Sequence, residues 1–226
     1  MKKIISILFI IMFIAACQKS ITPDPSPVKH LIDIDGNGYD TINIITQFWM
    51  KQNLKTSHYR NGDLIPEITS DAKWATLTNG AWCWYNNDSV TYAATYGKLY
   101  NWYAVNDPRG LAPTGWHIPN EAEWTSVSTA LGGDSAAGGK MKETDTTHWI
   151  APNNGATNSS GFTCLPGGHR FISGSFENIR FSYILWGSTE FNTNNAWVHH
   201  LYNEISGISR QDANKKHGFS IRCLKD

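Results

Sequence analysis

Gly115-Trp116-His117-Ile118-Pro119-Asn120-Glu121-Ala122-Glu123-Trp124 packs a strand end, a proline stop and a capped helix start into one short stretch. Asn120 is a favoured N-cap residue, and Glu123 stands three places on, where its carboxylate reaches back to the Asn120 amide. Glu121 and Glu123 place negative charge in the first turn, where the helix dipole favours it, so both read as capping groups before they read as catalysts. Trp124, Val127 and Leu131 recur at helical spacing, and Gly132-Gly133 supplies the exit. A helix this short is marginal alone in water, so tertiary packing must hold it. Burying one tryptophan removes roughly 200 Å² from water, at most about 5 kcal/mol at ~25 cal/mol/Å². Trp116 and Trp124 therefore outweigh local propensity here.

At the N-terminus, Lys2 and Lys3 precede an apolar run from Ile4 to Ile14 that ends at Ala15-Ala16-Cys17. A charged start, a short apolar core and small residues at the cleavage point describe a signal peptide over residues 1–16. The run is too short to remain as a membrane-spanning helix. Ile14-Ala15-Ala16-Cys17 is similar to the lipobox of bacterial lipoproteins, which implies lipidation of Cys17. Residues 17–30 carry Pro23, Pro25 and Pro27, an extended tether that holds a domain off a membrane surface. The expected localisation is the cell envelope, anchored by lipid, in the outer membrane on its periplasmic or outer face.

The chain has 19 basic and 19 acidic residues; Lys2 and Lys3 fall in the leader, so the remainder is slightly acidic and offers nucleic acid no basic patch. No second Pro/Ser-rich linker follows Leu31, so residues 31–226 read as one domain. Asp33-Ile34-Asp35-Gly36-Asn37-Gly38 reads as a hairpin turn or as the first half of a calcium loop, although the twelfth place of that loop falls at Ile44. Gln47–Lys55 reads as strand and turn, Asp71–Trp74 as a helical turn, and Ala81–Tyr85 as a buried strand. Gly97–Val105 has the spacing of a second amphipathic helix, with Leu99, Trp102, Tyr103 and Val105 inward and Pro108 blocking its extension. From Gly161 onward, short runs broken by glycine and asparagine predict a meander of strands, among them His169–Ile172, Tyr183–Trp186, Trp197–Tyr202 and Phe219–Leu224. The fold class is α+β with two main helices, antiparallel strands and long loops.

No His-Glu-x-x-His, Gly-x-Ser-x-Gly or Cys-x-x-Cys occurs, and Gly133 with Gly138-Gly139-Lys140 lacks the spacing of a phosphate loop, so it reads as a glycine-rich turn. His199 and His200 would face opposite sides of a strand and so cannot easily share a metal. No cofactor or metal is expected. The segment Trp186-Gly187-Ser188-Thr189-Glu190-Phe191-Asn192-Thr193-Asn194-Asn195-Ala196-Trp197 reads two ways. Trp186, Glu190, Asn192, Asn194, Asn195 and Trp197 suit sugar recognition through amide hydrogen bonds and ring stacking. Equally, they form an Asn-rich turn between core strands with both tryptophans inward.

The chain also resembles a known family. Gln47–Leu54, Cys83–Asp88, Tyr96–Val105, Pro113–Pro119, Gly161-Phe162, Leu165–Gly168, Ser188–Glu190 and Gly218–Leu224 together resemble the Fibrobacter succinogenes major paralogous domain, a family of exported bacterial proteins, often lipoproteins. That family is distantly similar to the C-type-lectin-like fold of the formylglycine-generating enzymes, through Pro119–Trp124 and Gly218–Cys223. The resemblance implies that the N- and C-terminal strands lie together, pairing the region near Ile42–Ile45 with Phe219–Leu224. The enzymes' paired active-site cysteines have no full counterpart, and the Glu-Pro-Asn and Trp-Asn-Asp motifs of calcium-dependent lectins are missing. Many relatives have Cys where this chain has Ala112, which implies a Cys164–Cys223 disulfide here and leaves Cys83 as a buried thiol. The function expected is a non-enzymatic, lipid-anchored envelope module binding a glycan or a surface protein. A self-associating structural role and a divergent formylglycine-type oxidase are the alternatives.

Overall fold

The structure, a computed structural model, describes residues 31–226. The expected leader, the Cys17 lipidation site and the tether lie outside the described residues.

Asp33 fixes the first hairpin, between β1 (Leu31–Ile32) and β2 (Gly38–Tyr39). Its Oδ1 accepts the amides of Asp35 and Asn37 at 3.0 and 2.9 Å, and its Oδ2 accepts the Tyr39 hydroxyl at 2.6 Å. That carboxylate is consumed within its own turn, so the hairpin reading holds over the calcium loop. β3 (Thr41–Ile44) pairs with β4 (Gln47–Met50), and α1 (Asp71–Ala75), capped by Ser70, buries Trp74.

The stretch Gly97–Val105 is not the helix its spacing predicts. After β5 (Trp82–Cys83) and a single 3₁₀ turn at Tyr85–Asn87, α2 (Ser89–Tyr96) is capped by the Asp88 carboxylate and stopped by Gly97 at φ +70°. Residues beyond it form β6 (Leu99–Tyr100), paired with Trp82 and Cys83. Asn101 then takes an extended conformation, and its side chain accepts the Ala104 amide to start the one-turn α3 (Trp102–Val105). A glycine that ends one helix and an asparagine that begins another leave the residues between them free to pair as a strand.

β7 (Trp116–His117) leads into α4 (Glu121–Ala130), and both halves of the capping box are present. Asn120 Oδ1 accepts the Ala122 and Glu123 amides at 2.9 and 3.1 Å, while Glu123 Oε2 accepts the Asn120 amide at 2.8 Å. Glu121 departs from the capping reading: its Oε1 lies 3.0 Å from His199 Nε2, and its Oε2 lies 3.5 Å from the Arg210 guanidinium. The glycine-rich segment expected as a turn is a helix, α5 (Asp134–Met141). Its glycines answer to close backbone approach: a Cβ on Gly138 would sit 2.0 Å from the Gly207 carbonyl oxygen, and one on Gly139 2.2 Å from that of Gly155.

The remaining strands are β8 (Gly167–Arg170), β9 (Phe176–Ile179), β10 (Ser182–Glu190), β11 (Asn195–Tyr202), β12 (Ser209–Asn214) and β13 (Leu224–Lys225). The five-stranded sheet runs β12-β11-β10-β8-β9, with only the β10–β8 pair parallel; the four-stranded sheet runs β3-β4-β13-β7, and β1–β2 and β5–β6 are two-stranded. The terminal strands do share a sheet, but β13 pairs with β4 and β7 at Leu224, while Ile42 is one strand further out. The α+β class holds, with three helices of eight residues or more among the described residues rather than two.

β10 is buried from Ser182 to Gly187 because apolar packing covers both of its faces. Ile184 and Trp186 join a cluster with Tyr100, Phe219 and Ile221; Tyr183 and Leu185 join another with Trp49, Trp124 and Phe162. Between these clusters runs Gly218–Leu224, and Arg222 holds it in place. Arg222 is 2 % exposed and donates to Asn53 Oδ1 at 3.1 Å, to the Thr163 carbonyl at 2.9 Å and to the Phe162 carbonyl.

The expected Cys164–Cys223 disulfide is not formed. Cys223 packs in the first cluster and Cys164 in the second, and these two, with Cys83, are buried free thiols. Burial pushes the Cys83 and Cys164 thiols up to about 12, and raises Cys223 as well. In thiol labelling mapped by mass spectrometry, all three should resist modification in the native chain and react after unfolding, with the melting temperature indifferent to reductant. Gly138→Ala should lower unfolding stability by about 2 kcal/mol in urea titration despite alanine's better helix propensity, because the added methyl meets backbone.

Candidate functional site

The Trp186–Trp197 segment is the β10–β11 hairpin, and most of its polar groups are engaged within the fold. Trp186 is fully enclosed and donates to the Tyr100 carbonyl at 2.8 Å, so its ring cannot meet a ligand. Glu190 is the counter-ion of Lys215, whose Nζ also donates to the Thr193 carbonyl at 2.8 Å. Asn192 Oδ1 accepts the amides of Asn194 and Asn195, both at 2.9 Å, and Asn195 Nδ2 donates to Asp212 at 2.7 Å. Trp197 is half-buried, with Phe191 edge-on at 4.9 Å and the Arg210 guanidinium 5.1 Å from its ring. Asn194 is exposed. The polar groups of the tip are largely satisfied within the fold.

His199 and His200 do face opposite ways: His199 stacks on Trp124 at 4.4 Å, and His200 stacks on Tyr202 at 3.6 Å. His169 and His217 gather beside Phe219, and His169, His200 and His217 each keep one buried ring nitrogen without a hydrogen-bond partner among the described residues. Among the described residues, no group of three or more His, Cys, Asp or Glu is arranged to hold a metal. Burial lowers all three histidines, His200 to about 3 and His217 to about 4.

A concave surface lies elsewhere, between the first hairpin, the Lys55–Ser57 segment and α2. A cleft of about 380 Å³ is lined by Asp35, Asn37, Lys55, Ser57, Trp84, Ala93, Ala94 and Lys98. Asp35 forms its back wall, bonded to the Thr56 hydroxyl at 3.1 Å, the Ser57 amide and the His58 ring. Burial opposes ionisation of Asp35, but its hydrogen bonds from Ser57, His58 and Thr56 outweigh it and hold the carboxyl below its usual range. Lys98 lies at the inner end, its ammonium 3.4 Å from the centre of the Trp82 ring and 5.1 Å from that of Trp84, donating to Ser57 Oγ. Trp84, edge-on to Trp82 at 5.4 Å, is only partly buried and offers the cleft an aromatic surface. An aromatic face beside amide, hydroxyl, carboxylate and amine groups suits a small polar ligand with an apolar ring face. Sequence reading missed this site because its lining comes from segments far apart in the chain; the only local sign was the Trp82-x-Trp84 pair.

This architecture defines a loop-rich α+β domain, mostly sheet, fastened through its own C-terminal strand. Residues 42–225 match the Fibrobacter succinogenes major domain, and the chain belongs to that family. Neither the curated proteins nor the solved structures contain a match to the chain.

The histidine cluster generates a pH prediction. Each histidine is held neutral when folded and has an ordinary value near 6.5 when unfolded, so the unfolded state takes up protons first. Stability should be full above about pH 6.5 and fall as pH drops toward 4 in denaturant titrations, and His200→Phe should flatten that slope.

Proposed function

We propose that this chain is an exported, lipid-anchored, non-enzymatic cell-envelope module with a C-type-lectin-like fold, and that it binds a glycan. The anchor is Cys17, and the proline-rich segment after it holds the domain off the membrane. The lectin-like reading is supported by the shared sheet of β4 and β13 and by the capped helix start directly after β7. The non-enzymatic reading is supported by three buried thiols with raised pKa values, since cysteine redox chemistry needs an accessible thiolate.

The observation that carries the glycan reading is the cleft beside Trp84. Saccharides present apolar C–H faces flanked by hydroxyls, and the cleft combines a partly buried indole with Asn37, Ser57 and Asp35. The proposed binding site thus moves from the β10–β11 hairpin, where the sequence placed its candidate residues, to the cleft lined by Trp84 and Lys98.

Trp84→Ala should weaken oligosaccharide binding about tenfold, equivalent to ~1.4 kcal/mol, in calorimetric titration of a glycan-array hit. Phe191→Ala at the hairpin tip should leave it unchanged. A chain blank on the array that self-associates in light scattering, indifferent to sugar, would replace this reading with a structural envelope role.

A further inference from the structure

Among the described residues, the Lys98 ammonium is a buried charge without a counter-ion. Lys98 is 2 % exposed, and the one hydrogen bond of its ammonium to a described residue goes to the neutral Ser57 hydroxyl. Asp35, Glu67 and Asp33 act on it from a distance, and none of them forms an ion pair with it. Trp82 supplies a π face at 3.4 Å, which offsets part of the lost hydration. An ammonium has three N–H donors, so a desolvated one with a single oxygen partner is incompletely satisfied.

The surroundings specify what completes it. Lys55 lines the same cleft, so its titratable lining is two amines against one carboxylate. That carboxylate, Asp35, is already turned toward Ser57, Thr56 and His58, and its charge at the wall opposes a compact dianion. A single ligand carboxylate carried on a hydroxylated ring meets all of these conditions. Its charge faces Lys98 and Lys55, its hydroxyls face Asn37 and Ser57, and its ring face lies on Trp84. We infer that the cleft selects an acidic saccharide, a chain containing hexuronic acid, with Lys98 as the group that reads the carboxylate. This rests on the glycan reading above and narrows it.

The test is calorimetric titration of the full chain with a hexuronic-acid trisaccharide, the same trisaccharide with its carboxyls reduced to alcohols, and inorganic phosphate. The acidic sugar should bind at least tenfold more tightly than the neutral one at pH 7. Lys98→Met, which keeps the stem over Trp82, should bring the ratio of acidic to neutral affinity close to one. Burial lowers the Lys98 pKa to about 8, and only the protonated amine attracts a carboxylate. The wild-type preference should therefore persist below pH 8 and decline above it, a readout that stands even if Lys98→Met fails to fold. Equal affinity for the acidic and neutral sugars overturns the inference and leaves the glycan reading standing. Phosphate binding tighter than the hexuronate overturns it in favour of a simple oxyanion site. No binding of either sugar overturns the glycan reading itself.

Discussion

One extended segment, Gly218–Leu224, connects nearly every part of this domain. Gly218 exchanges backbone hydrogen bonds with Arg170 at 2.8 and 2.9 Å, and Phe219 does so with Tyr100 at 3.0 and 2.9 Å. Ser220 bridges Ile184 and Trp186, Ile221 accepts from Leu54 at 2.8 Å, Cys223 accepts from Met50 at 3.0 Å, and Leu224 pairs with both Trp49 and His117. Successive residues thus bond to the large sheet, the β5–β6 pair, the loop after β4 and the four-stranded sheet. A buried backbone needs all of these partners, since each unpaired amide or carbonyl costs about as much as a lost hydrogen bond. Arg222 adds a side-chain clamp that reaches across to Phe162 and Thr163.

The capped helix start acquires its role from the same segment. His117 sits between Glu123 and Asp226, at 2.8 and 2.7 Å. Burial alone would lower its pKa, but the Asp226 and Glu123 carboxylates outweigh burial and raise it. The cap of α4 is thereby fastened to the end of β13. Glu121, free of the capping box, turns instead to His199 and Arg210 and ties α4 to β11 and β12.

Local signals were legible and distributed ones were not. The Asn120–Glu123 box, the Asp33 turn and the apolar run at Tyr183–Trp186 each carry their cause within a few residues, so sequence reading placed them correctly. Gly97–Val105 misled because its apolar spacing suits a helix, whereas the deciding residues are Gly97, a stop, and Asn101, a start. α2 and α5 escaped notice because one is rich in β-branched residues and the other in glycine, and neither presents a marked apolar face. Edge strand β12 is polar along its length, which reads as loop until its pairing with β11 is seen. The expected disulfide followed from comparison with relatives rather than from distance, and the two cysteines fall in different clusters. Family membership was legible because its motifs coincide with structural joints such as Gly218–Leu224. The Lys98 cleft was not, because its lining converges only after β5, β6, α2 and the first hairpin have assembled.

The position of the fastening segment along the chain governs how the domain comes together. Met50 and Cys223 touch at a sequence separation of 173. Contacts of such long sequence separation are closed late and slowly, because loop entropy is spent before they return anything. Until residues 218–225 arrive, β4 has β3 on one side but nothing on the other, Tyr100 and Arg170 each lack one backbone partner, and both apolar clusters stay open on one side. Synthesis from the N-terminus therefore yields a chain whose four-stranded sheet cannot be completed until its last residues are made. A protease cut shortly before Gly218 would not leave a slightly smaller domain; it would release the strand on which the whole assembly closes.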